Sequence, residues 1–167
     1  TNTGRFVNFS SQGSLYISGG NETTTAINNT AVGASSLVSN TTGNSNAAFG
    51  ESALSLNTTG VRNTAVGAST LSSNIDGSFN VAVGFNALSG NTSGETNTAI
   101  GQNTLMTNTI GYNNTAIGYG SSTTAPDLNN ATVIGAGALV DASNKTRIGN
   151  NFVTATDIAG QVKVNAQ

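Results

Sequence analysis

Glycine recurs every 17 residues along this chain. Gly33, Gly50, Gly67, Gly84, Gly101, Gly118 and Gly135 keep the spacing without a slip, and Gly43, Gly60, Gly77, Gly94 and Gly111 run in phase with them. Asn29, Asn46, Asn63, Asn80, Asn97 and Asn114 open each unit, while Asn40, Asn57, Asn74, Asn91 and Asn108 mark a later position. The unit reads Asn-Thr-Ala-Val/Ile-Gly, two variable residues, a small residue, Leu, two more, then Asn-Thr-x-Gly and two to finish. Self-similarity at a fixed period is the mark of a stacked repeat, in which each unit covers its apolar residues only against its neighbours.

Seventeen residues are too few for a pair of packed helices. The unit's apolar residues come in short clusters between turn formers, which disfavours helix further. The predicted fold is therefore all-β, a β-solenoid or β-roll over residues 28–150 with one coil per unit. A short strand is expected at Thr-Ala-Val/Ile, a second around the small-Leu pair, and turns at both glycine series. Residues 1–27, where Phe6, Phe9 and Tyr16 concentrate aromatic bulk, read as an N-terminal cap or junction, and residues 151–167 as a C-terminal cap or tail. Glycine supplies φ > 0 where every coil must bend alike, and the asparagines either adopt that conformation, close Asx-turns or hydrogen-bond along a ladder. The many Asn-x-Ser/Thr matches are read as structural, because they recur with the coil.

Two irregularities are visible. After Gly135 the next matching glycine is Gly149, a step of 14, and just before it the stretch 120–129 carries the only proline, Pro126. That stretch is expected to leave the coil as a loop. The leucine column, Leu37, Leu54, Leu71, Leu88, Leu105 and Leu139, fails once, at Ser122.

Ala31, Ala48, Ala65, Ala82, Ala99 and Ala116 each precede an apolar ladder residue: Val32, Phe49, Val66, Val83, Ile100 and Ile117, with Ile134 continuing the column. Strand neighbours point to opposite faces, so the two columns cannot both face inward. Either Ala lines a narrow interior and the Val/Ile ladder lies outward, needing a partner copy, or Val/Ile joins Leu inside and an Ala ladder permits close approach.

Composition removes whole classes of chemistry. The chain has no Cys, His or Trp, so thiolate and imidazole catalysis, disulfides and the usual zinc, copper, haem and iron–sulfur sites are excluded, and no cofactor or metal is expected. Five basic residues, Arg5, Arg62, Lys145, Arg147 and Lys163, are too scattered to track a phosphate backbone, so no nucleic-acid partner is expected. No apolar run approaches membrane-spanning length, so no insertion into a membrane is expected either.

The segments 80–84, Asn-Val-Ala-Val-Gly, and 97–101 and 114–118, both Asn-Thr-Ala-Ile-Gly, resemble the head repeats of trimeric autotransporter adhesins. The longer Asn-Thr-Ala-Val-Gly-x-x-Ala-Leu-x-x-Asn-Thr-Thr-Gly unit is similar to those of phage and bacterial tail-fibre-like proteins. Residues 144–154 and 158–162 resemble the stretch ahead of a self-cleaving chaperone domain in such fibres, and an end at Gln167 fits cleavage there. The resemblance, over about residues 28–162, implies left-handed parallel β-rolls packed as a homotrimer and exposed on a virion or bacterial surface. The period departs from it, being 17 where adhesin heads commonly have 14.

The expected role is non-enzymatic: an adhesive or receptor-binding fibre segment meeting a surface glycan or protein by avidity. Phe85, Gln102, Asn103 and Tyr119, at variable positions, are candidate ligand contacts. Two alternatives carry less support. A glycan-cleaving spike needs paired carboxylates, whereas Glu51, Asp76 and Glu95 sit in three columns of three coils and would need a site built between subunits. An ice-binding solenoid needs an unbroken threonine ladder, whereas Thr41, Thr58, Thr92 and Thr109 are interrupted by Ile75.

Overall fold

A computed structural model describes residues 25–152, together with the backbone of two short strands ahead of them, β1 (Val7–Phe9) and β2 (Leu15–Ile17). The proposed N-terminal cap and C-terminal tail lie largely outside the described residues. Each 17-residue unit is one coil. Its Thr-Ala-Val/Ile segment forms a three-residue strand: β3 (Thr30–Val32), β4 (Ala47–Phe49), β5 (Thr64–Val66), β6 (Val81–Val83), β7 (Thr98–Ile100) and β8 (Thr115–Ile117). A two-residue strand β9 (Ser122–Thr123) follows, then β10 (Thr132–Ile134), β11 (Leu139–Val140) and β12 (Thr146–Ile148).

Ten of these strands make one sheet in the order β1-β2-β3-β4-β5-β6-β7-β8-β10-β12, and β9 pairs with β11 in a second. From β2 onward the pairing is parallel and in register, Thr30 beside Ala47 and Ala47 beside Thr64, so equivalent residues stack. No helix occurs among the described residues. The result is a parallel β-solenoid of about seven turns, roughly 35 Å long at the usual strand spacing.

The interior is narrow. The middle alanines of the strands, Ala31, Ala48, Ala65, Ala82, Ala99 and Ala116, and Leu37, Leu54, Leu71, Leu88 and Leu105 are fully buried, and both asparagine columns join them. Those asparagines form ladders rather than left-handed turns. Asn57 Nδ2 donates to Asn40 Oδ1 at 2.8 Å, and Asn74, Asn91 and Asn108 repeat the bond at the same distance. In the other column the backbone N–H of Asn63 donates to Asn46 Oδ1 at 2.9 Å, while its own amide donates to Gly77 O at 2.9 Å. Buried amides are thereby satisfied coil to coil, which a narrow polar-lined core requires.

The two glycine series turn out to serve different needs. Gly67 has φ +131, and a Cβ there would stand 2.7 Å from Gly84 O, so both conformation and space exclude a side chain. Gly60 has no such φ. A Cβ on it would lie 2.4 Å from both Asn57 Oδ1 and Gly77 O, so the second series exists to let the asparagine ladders close over it. The expectation of positive φ at both series is corrected accordingly.

The strand expected around the small-Leu pair is absent from the first five coils. There Ser35 and Leu37, with their equivalents Ser52 and Leu54, Ser69 and Leu71, Asn86 and Leu88, and Asn103 and Leu105, adopt left-handed conformations, Leu37 at φ 49. A left-handed non-glycine residue costs about 1–2 kcal/mol, whereas full burial of Leu contributes about 1.5–3 kcal/mol. Burial wins. True strands replace this turn only at β9 and β11, where Gly120 and Gly137 take the first left-handed position and the second is lost. The side-chain alternation then shifts, so Leu139 faces out while Val140 is buried, and Leu139 does not continue the leucine column.

Residues 120–129 do not leave the coil, contrary to the expectation from Pro126. The Pro126 carbonyl accepts from the N–H groups of Thr109, Ile110 and Gly111 at 2.9, 3.2 and 3.2 Å, in the place that Thr109 O fills for the coil before. In the regular coils the N–H at this position donates onward, as Thr92 does to Thr109 O at 2.9 Å. Proline has no such donor. The last described coil is three residues shorter, with Thr132 beside Thr146, so Pro126 ends a ladder where the chain itself shortens.

Candidate functional site

With Ala inside, the Val/Ile ladder points outward. Phe49, Val66, Val83, Ile100, Ile117 and Ile134 are 36–41% exposed, and Val32 is half-buried. They do not belong to the core, so of the two columns it is Ala that lines the interior and Val/Ile that lies outward. The partner row on the same sheet face is Thr30, Ala47, Thr64, Val81, Thr98, Thr115 and Thr132. Neither row contains a charged residue, so the flat face of seven coils is neutral from Thr30 to Ile134. Covering the remaining two-fifths of seven such side chains would contribute about 5 kcal/mol per copy. That matches only the low end of the roughly 4–15 kcal/mol cost of association, so the threonine row would have to be covered with it.

The candidate ligand contacts fall beside this face. Phe85, Gln102 and Tyr119 each follow a first-series glycine in consecutive coils. Asn103 N–H donates to Phe85 O at 2.9 Å, Gly120 N–H to Gln102 O at 2.9 Å and Gly137 N–H to Tyr119 O at 2.8 Å, so the three share one ladder. Phe85 is 49% and Tyr119 61% exposed, Gln102 is exposed, and Asn103 is half-buried in a left-handed turn. Asn103 therefore sits in the neighbouring column rather than in theirs.

Other surface features are local. Arg62 lies over the Phe79 ring, 5.4 Å from its centroid, a pairing that the repeat does not signal because each residue occurs once in its column. A shallow hollow of about 230 Å³ at the C-terminal end is lined by Gly137, Leu139, Arg147, Asn150, Asn151 and Phe152. Arg147 is committed within it, donating from Nε to Gly149 O and from Nη2 to Asn151 Oδ1. The hollow is smaller than usual ligand pockets and lies at the C-terminal end of the described residues. Lys145 pairs with Asp141 at 2.6 Å, and that hydrogen bond holds the Asp141 carboxyl below the usual carboxylate range.

Glu51, Asp76 and Glu95 are exposed and stand in different columns. No group of three or more Asp or Glu residues that could hold a metal occurs among the described residues. The threonine column at Thr41, Thr58 and Thr92 has its hydroxyl hydrogens committed: each donates to the carbonyl of the next coil, at 2.9, 3.0 and 3.1 Å. Among the described residues no helix is long and apolar enough to cross a membrane. No protein-family model and no curated protein sequence matches the chain.

Proposed function

We propose that the chain is a non-enzymatic segment of an extracellular fibre, a homotrimer assembled through its Val/Ile face and presenting the other faces to a glycan or protein receptor. A virion tail fibre and a bacterial surface adhesin are the two settings consistent with its repeat. The observation that carries this reading is the outward ladder. A neutral apolar stripe kept through seven coils is unusual on an isolated protein and calls for a partner of matching length. Another copy of the same rod has that length and the same 17-residue period, and closed symmetry covers the stripe on every copy.

The mechanism follows from stiffness and number. Contacts between successive coils hold the surface columns at fixed spacing, and joining copies side by side places equivalent columns on one particle. Weak individual contacts to a repeated surface ligand then combine through effective concentration. No reaction step is involved.

Light scattering on the purified chain tests the assembly. Three copies per particle are expected for the wild type, and Val66→Lys with Ile100→Lys should yield a folded monomer of unchanged far-ultraviolet circular dichroism. A wild-type chain that stays folded and monomeric at micromolar concentration would overturn the reading.

A further inference from the structure

The surface columns are not equivalent. Phe85 and Tyr119 occupy the same position two coils apart, with Gln102 between them, and the backbone ladder through Asn103 and Gly120 fixes the three in register. The points where the two rings attach are therefore about 10 Å apart along the rod. Asn86 and Asn103 flank them in the next column. Across both columns, from Ala68 to Gly137, no residue is charged. The rings are 49% and 61% exposed, enough for each to meet a ligand from solvent.

We infer that this column binds an extended, uncharged polysaccharide of β-1,4-linked hexopyranoses, laid parallel to the rod axis. The inference rests on the receptor-binding reading above and names its ligand class. In such a ribbon each sugar is turned over relative to the one before, so every second sugar presents the same C–H face, and the rise per sugar is close to one coil step. Phe85 and Tyr119 each take one of these faces, since an aromatic ring stacks on apolar C–H surface. Gln102, with two donors and an acceptor on one amide, meets the hydroxyl groups of the sugar between. The absence of charge favours a neutral chain over an acidic one. An α-1,4 chain coils and would not keep step with the rod.

Titration calorimetry with cellohexaose on the full chain tests this. Phe85→Ala and Tyr119→Ala should each weaken binding about tenfold, and the double variant should remove it. Tyr112→Ala, an exposed tyrosine in another column, should leave it unchanged. Maltohexaose and a hyaluronan hexasaccharide should bind at least about tenfold more weakly than cellohexaose. No heat with cellohexaose at millimolar concentration would overturn the inference, as would affinity indifferent to both ring substitutions. Light scattering on the same samples separates the two readings. Loss of copies in Phe85→Ala or Tyr119→Ala would assign the column to the interface between copies and overturn the glycan site. A wild type that assembles and binds surfaces independently of these rings would leave the fibre reading standing and this one refuted.

Discussion

Asn74 sits in the middle of the ladder that runs from Asn40 to Asn108, and its removal has a cost that can be worked bond by bond. Its Nδ2 donates to Asn57 Oδ1 at 2.8 Å and to Gly77 O at 2.9 Å, and its Oδ1 accepts from Asn91 Nδ2 at 2.8 Å. After Asn74→Ala, Gly77 O keeps the Asn63 amide at 2.9 Å, and Asn91 keeps its bond to Gly94 O at 3.0 Å. Two buried groups are left orphaned, the Asn57 oxygen and one Asn91 hydrogen. At about 1–3 kcal/mol each, the expected loss is about 4 kcal/mol, a large share of the 5–15 kcal/mol typical of whole domains. Asn74→Asp should be worse at neutral pH, because it turns a carboxylate towards two carbonyl-type oxygens in a buried site without a cation. Burial raises that carboxyl's folded-state pKa, so the folded state binds the extra proton more readily, and the Asp variant should recover stability as pH falls. Urea unfolding followed by circular dichroism at one fixed protein concentration, at neutral and acid pH, measures both effects. A loss under about 1 kcal/mol for Asn74→Ala, or an Asp variant no worse than Ala at neutral pH, would refute the argument that the interior amides are dry and mutually satisfied.

Three further outcomes are expected. Gly67→Ala, whose Cβ would stand 2.7 Å from Gly84 O at φ +131, should lose more than about 3 kcal/mol, whereas Gly120→Ala, with nothing within 4 Å at φ +61, should cost only about 1 kcal/mol; thermal midpoints of the pair decide. Thr123 Oγ1 is buried with no hydrogen-bond partner, so Thr123→Val should stabilise by about 1 kcal/mol in urea titration, and a loss would show the hydroxyl to be satisfied. Lys145 donates a hydrogen bond to Asp141 and holds its carboxyl low, so that pair's contribution is present above the ordinary carboxylate pKa and disappears as pH falls through the lowered one. Asp141→Asn should therefore lower the urea midpoint slightly at neutral pH and not in strong acid, with added salt shrinking the difference.

The coil, its period, the strand at Thr-Ala-Val/Ile and the asparagine ladders were legible because each is written once per unit, and stacking makes a column's chemistry repeat. The alternation of Ala and Val/Ile showed that they face opposite sides without showing which lies inside. Volume decides that: in the regular coils Leu and two asparagine columns fill the interior beside the alanine methyl groups, and a larger residue, Val133, takes the alanine position inside only where the leucine column has stopped. The left-handed leucines were not legible, since local preference for that conformation belongs to Gly and Asn, and here burial against neighbouring coils overrides it. Arg62 and Phe79 share a left-handed position with Ser45 and Asn113, so that site too is shaped by the stack rather than by the residue. Pro126 misled for a related reason. Its missing donor matters only if an acceptor waits in the next coil, and the 14-residue step removes that requirement. The surface is the hardest part to read. Phe85 and Tyr119 share a column with Glu51 and Ala34, and a column that does not repeat carries no period.

The identity of bonding from coil to coil bears on how such a rod can change over generations. The units at 46–62, 63–79 and 80–96 offer the same amides and carbonyls above and below. An in-frame duplication or loss of one unit among them would lengthen or shorten the rod by about 4.8 Å with every ladder intact. The proline and the 14-residue coil after it have no such freedom, because the ladder stops at one and the register changes at the other. Length is thus open to drift among the regular units and fixed from Pro126 to the 14-residue coil. A binding surface spread over several coils would be broken by the events that resize the rod, whereas one near the short coil would ride along unchanged.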